Sequence, residues 1–82
     1  MAADEVTLEI ATPKGMFTGS FVKTAKVKDV IEAVVASLGL NRGDALELVH
    51  NGDVLQPVER PLVSFGLSGT VKLDLVATGS GV

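Results

Sequence analysis

The feature that most constrains the fold is a change of hydrophobic period near Val27. Before it, apolar residues alternate. Val6, Leu8 and Ile10 share one parity and Glu5, Thr7 and Glu9 the other, the pattern of a half-buried strand from Glu5 to Thr12. Pro13-Lys14-Gly15 then signals a turn, and Met16 to about Lys23 reads as a second strand with Phe17, Gly19 and Phe21 on one parity. After it, Val27, Val30, Ile31, Val34, Val35 and Leu38 recur at spacings of three and four, the stripe of one amphipathic helix. Asp29 and Glu32 sit in the early turns, where the helix dipole favours acids, and Gly39 is placed to end the helix. Thr24 or Lys26 is the expected N-cap, and Thr24 has the better side chain for it. A valine-rich helix has poor intrinsic propensity, so packing must hold it.

The rest of the chain returns to strands. Leu46 to His50 reads as a strand, Asn51-Gly52 as a type I′ turn, and Asp53-Val54-Leu55 as the short return. Gln56 to Gly69 is irregular and carries Pro57 and Pro61. Within it Leu62, Phe65 and Leu67 are spaced as anchors dropped into a core. From Thr70 to Val76 the chain alternates again, with Val71, Leu73 and Leu75 on one parity. A hairpin, one helix and further strands form an α+β pattern, and the compact solution for so few residues is a β-grasp. The expected fold is a mixed sheet of four to five strands with the helix packed across one face and the first and last strands side by side in the centre. The expected core is Val6, Leu8, Ile10, Phe17, Phe21, Val27, Val30, Val34, Leu38, Leu48, Leu55, Leu62, Leu67, Val71, Leu73 and Leu75.

Composition narrows the function classes. The 82 residues suit one domain, near the lower limit for a self-sufficient core, and leave no room for a cleft between domains. Apolar residues make up 46% and charged residues 21%, which favours folding over disorder. A net charge of −3 and scattered lysines argue against a nucleic-acid surface. The absence of cysteine excludes thiol catalysis and favours a reducing cytoplasm. The first residues form no signal peptide, and the apolar runs are too short to span a bilayer.

Candidate chemistry is sparse. His50 is the only histidine, and it reads as a strand-end residue beside a turn, not as a base. Asp4, Glu5 and Glu9 read as a solvated strand face. No paired-carboxylate, metal-ligand or phosphate-loop spacing occurs, so neither cofactor nor metal is expected. Lysine side chains are candidate acceptors for chain formation, but solubility is their expected role. Gly19, inside a strand, marks a bulge or a close approach.

The order and spacing of these segments resemble the ubiquitin-like β-grasp family over nearly the whole chain, from Val6 to Gly81. The resemblance rests on Val27-Lys28-Asp29-Val30-Ile31-Glu32-Ala33-Val34 with Gly39, on Leu46 to Leu55, on the anchors Leu62, Phe65 and Leu67, and on Val71, Leu73 and Leu75. It implies residues 1–4 as a disordered lead-in, 5–76 as the domain and 77–82 as a flexible tail. Family modifiers and the related sulfur carriers end in Gly-Gly, which lets the backbone thread a narrow channel to a nucleotide. Here the tail Gly79-Ser80-Gly81-Val82 departs twice, with a serine between the glycines and a terminal valine. Removal of Val82 by a peptidase exposes the Gly81 carboxylate. Bacterial ubiquitin-like proteins encoded with their own activating, conjugating and processing enzymes resemble this tail.

The resemblance therefore implies a cytoplasmic, non-enzymatic protein modifier. Its partners are an ATP-dependent activating enzyme, a conjugating enzyme, a processing peptidase and target proteins, with no nucleic acid and no membrane. A sulfur carrier with a C-terminal thiocarboxylate and a non-conjugated interaction domain are the alternatives. Val49 matches the centre of the family's apolar binding patch, while Lys72 and Asp74 occupy neighbouring positions, so receptors for ubiquitin are expected to bind poorly.

Overall fold

The computed structural model of the chain describes residues 4–40 and 45–78. Strands β1 (Glu5–Thr12) and β2 (Gly15–Val22) form the opening hairpin, and helix α1 (Val27–Leu38) follows. Then come β3 (Ala45–His50), β4 (Asp53–Val54), a 3-10 turn at Leu62–Phe65, and β5 (Gly69–Thr78). The five strands make one mixed sheet in the order β2-β1-β5-β3-β4. The first and last strands are neighbours and run parallel, with Leu8 beside Val71 and Ile10 beside Leu73. This is the β-grasp arrangement.

One face of the sheet carries the core. Val6, Leu8 and Ile10 of β1, Leu48 of β3 and Val71, Leu73 and Leu75 of β5 pack with Val27, Val30 and Val34 of α1 in one cluster. Leu55, Leu62 and Leu67 close it from the irregular segment. All of these were expected core residues. Phe17, Phe21 and Leu38 were expected there too, but are only partly buried. The two phenylalanines point to the correct face, yet β2 is an edge strand, so no strand of the described residues covers their outer side. Val35, part of the apolar stripe of α1, is also buried, at 6% exposure.

The helix start shows why its weak propensity is tolerated. The N-cap is Lys26, not Thr24, and its backbone N–H donates to the Asp29 carboxylate at 3.2 Å. Free backbone donors of the first turn find carbonyls in the irregular segment. Val27 N–H donates to Arg60 O at 3.2 Å and Lys28 N–H to Val58 O at 2.9 Å. In return, Leu62 N–H donates to Ala25 O and Val63 N–H to Lys23 O. The orphan donors that a serine or threonine cap usually satisfies are met by a neighbouring loop. Asp29→Ala removes the one side-chain cap, and the thermal midpoint is expected to fall by about 2–6 °C, measured by circular dichroism.

The helix ends as expected. Gly39 lies in the left-handed region at φ 68°, and its N–H donates to Val35 O at 2.9 Å. The Lys14 ammonium donates to Gly39 O at 3.3 Å, which ties the first hairpin turn to the helix end. The Asn51-Gly52 turn has φ of 53° and 85°, the two positive values that a type I′ turn requires.

Candidate functional site

The outer face of the sheet follows from the alternation that builds the core. With Leu8, Leu48 and Leu73 inward, the residues between them face away from the helix. Two cross-strand registers place Asp74 between Ala11 of β1 and Val49 of β3. Beyond these neighbours, Met16 pairs with Ala11 and Val54 with Val49. One row across the sheet therefore reads Met16, Ala11, Asp74, Val49, Val54, with an exposed carboxylate in an otherwise apolar line. Lys72, also exposed, lies one step along β5 and opposite Glu9. Of the three expected surface residues, Val49 and Asp74 are in direct register. Lys72 is set back along β5, opposite Glu9 of β1. The adjacency of the first and last strands was expected, but alternation alone does not fix the register that sets Lys72 against Glu9.

The end of β5 is the second part of the site. Strand β1 accompanies β5 as far as Asp74. Past that point β5 pairs on one side only, with Leu48 against Leu75, Glu47 against Val76, Leu46 against Ala77 and Ala45 against Thr78. Ala77 and Thr78 were read as the first residues of the tail, and the structure places both in the strand. Small side chains lack the alternation that marks a strand, but backbone pairing does not require it. The expected conjugation residues Gly79, Ser80, Gly81 and Val82 lie outside the described residues.

His50 lines a shallow pocket with Asn51, Ser68, Thr70 and Lys72, floored by Leu67 and Val71. It opens where β3 and β5 part company beyond the Val49–Asp74 pair. Among the described residues, no three or more His, Asp or Glu side chains gather as a metal site would require. No helix among them is long and apolar enough to cross a membrane.

No family model matches the sequence, and neither does any curated protein. Solved structures do match. A de novo designed protein based on ubiquitin superposes with a TM-score of 0.82 at 20% identity, over 98% of this chain and 96% of the other. The ubiquitin of Caldiarchaeum subterraneum gives 0.78 at 21% identity, over 95% of this chain and 99% of its own. The ubiquitin-like domain of an Arabidopsis thaliana protein gives 0.81 at 15% identity, over 99% and 85%. At these identities the likeness is one of architecture: a five-stranded mixed sheet, one helix and matching chain length give this chain the ubiquitin-like β-grasp fold.

Proposed function

We propose that this chain is a ubiquitin-like protein modifier, trimmed after Gly81 and attached to target proteins through the Gly81 carboxylate. The reading rests on β5, a central strand whose last four residues run past β1, paired with β3 alone, and lead directly to Gly79. A carboxylate tethered beyond that strand is suited to enter an activating enzyme while the folded body stays outside. Its oxygen attacks the α-phosphorus of ATP, displacing pyrophosphate. An enzyme thiol then displaces AMP, and a target amine finally displaces the thiol. All catalytic groups in this scheme belong to partner proteins, and this chain is not itself an enzyme.

Intact mass of the full chain from native cells tests the reading. Loss of Val82 together with higher-mass protein adducts is the expected result. A trimmed chain that gains the mass difference of sulfur over oxygen, without adducts, identifies a sulfur carrier. An untrimmed chain without adducts identifies an interaction domain.

The outer sheet face gives a second expectation. A partner that covers Val49 in a dry contact also covers Asp74, and an unpaired buried carboxylate is costly. Binding to a ubiquitin-recognising domain is therefore expected to be about tenfold or more weaker than that of ubiquitin, with Asp74→Val recovering part of the loss. Affinity equal to ubiquitin's in a calorimetric titration contradicts this.

A further inference from the structure

Strand β2 is one of the two edges of the sheet, and it is the long one, since β4 has only two residues. The ladder to β1 fixes which of its backbone groups are spent. Lys23 N–H donates to Asp4 O at 2.7 Å, and in an antiparallel pair the bonded positions recur every second residue. Phe21, Gly19 and Phe17 therefore turn their backbone groups to β1. Met16, Thr18 and Ser20 turn theirs outward, where no strand of the described residues follows. Met16 and Val22 are also two of the most exposed large apolar side chains, at 61% and 46%.

The sequence of this edge is close to a palindrome about Gly19: Met16-Phe17-Thr18-Gly19-Ser20-Phe21-Val22. An antiparallel partner strand of the same sequence, related by a twofold axis through Gly19, sets Thr18 opposite Ser20, Phe17 opposite Phe21 and Met16 opposite Val22. The parity is right: the pairs Thr18–Ser20 and Met16–Val22 join residues whose donors and acceptors already face outward. Gly19 meets Gly19 at the axis, at a non-bonded pair where two strands approach most closely. It has no side chain to obstruct that approach, and the Phe17 and Phe21 rings, 6.4 Å apart, lean over it on the helix side. A Cβ there meets the Phe17 ring at 3.1 Å.

We propose that β2 is a self-complementary edge that pairs with β2 of a second copy of this chain. The product is a continuous ten-stranded sheet with both helices on one face, joined by an isologous twofold contact. Backbone bonds hold it, Met16 and Val22 of opposite copies cover each other on the outer face, and four phenylalanine rings line the other. Two terms limit its strength. A contact of seven residues per copy falls below the roughly 1,200 Å² of a standard interface. Each copy also carries a net charge of −3, and salt screens the resulting repulsion between two copies. The contact is accordingly transient, with dissociation on the order of 0.1–1 mM, and it tightens as salt rises.

Sedimentation equilibrium of the full chain at up to about 1 mM, in about 50 and 500 mM salt, tests this. The expected result is a monomer–dimer equilibrium that strengthens severalfold with salt. Thr18→Pro removes an outward donor without touching the β1 ladder, a position where an edge strand tolerates proline. It should weaken dimerisation about tenfold or more. Met16→Lys, at a side chain the monomer leaves exposed, carries the same expectation should the proline variant misfold. Because the chain has no cysteine, mixing Thr18→Cys with Ser20→Cys protein reads the register, and disulfide should form faster in the mixture than in either alone. A monomer throughout the concentration range overturns the proposal. So does a dimer indifferent to Met16→Lys and Thr18→Pro, or cross-linking without preference for the mixed pair.

Discussion

Leu62→Ala is expected to lower the unfolding free energy by about 3 kcal/mol, read as a lower urea midpoint. The loss has two sources. Leu62 is fully buried, so truncation leaves a cavity in the core cluster to which it belongs. It is also the anchor of the segment that caps the helix. Its N–H bonds Ala25 O at 2.9 Å, and the carbonyls of Val58 and Arg60 a few residues earlier receive the first helical donors. A loosened anchor frees those carbonyls and strips a valine-rich helix of its caps. Against a total stability of about 5–15 kcal/mol for a small domain, this one side chain carries a large share. Phe65→Ala in the same turn should cost only about 1–2 kcal/mol. Its ring is half-buried, and the Arg60 guanidinium 5.2 Å from the ring centre is its outer cover. An equal or larger loss at Phe65 overturns this ranking.

The contrast also shows what a sequence of this kind makes legible. Period two in β1 and β5 and period three to four in α1 identify the inward residues, because burial on one face is what those periods encode. Gly39 and Asn51-Gly52 were readable because their backbone angles leave few other residues possible. What failed depended on neighbours remote in sequence. Thr24 is the better capping side chain, but the helix begins at Val27 because carbonyls more than thirty residues later supply the missing acceptors. Phe17 and Phe21 have core parity and core chemistry, yet strand order puts them at a margin. Ala77 and Thr78 carry no pattern at all and are ordered by the backbone of β3. The surface site divides the same way. Val49 and Asp74 were placed together through resemblance, whereas the pairing of Lys72 with Glu9 required the parallel β1–β5 register.

Gly81→Leu is expected to abolish protein adducts while leaving the unfolding midpoint unchanged. The two readouts separate because the buried core of the described residues ends at Leu75, well short of the substituted position. Activation requires the carboxylate to lie in line with the α-phosphorus inside a channel that also holds the nucleotide. A leucine Cβ and isobutyl group at the reacting residue meet the channel wall and restrict φ to the negative region. Displacement of a reacting atom by an ångström is enough to slow such a step about a hundredfold or more. Pyrophosphate exchange with the activating enzyme measures that step directly, and it should fail before any thioester forms. Ser80→Gly supplies the opposite arm. Ser80 adds one Cβ and a hydroxyl between two glycines, so its removal should leave exchange as fast or faster. Adducts that persist in Gly81→Leu show that the carboxylate joined to targets is not that of Gly81. Exchange lost in Ser80→Gly shows that the serine is read by a partner and is not merely tolerated in a narrow passage.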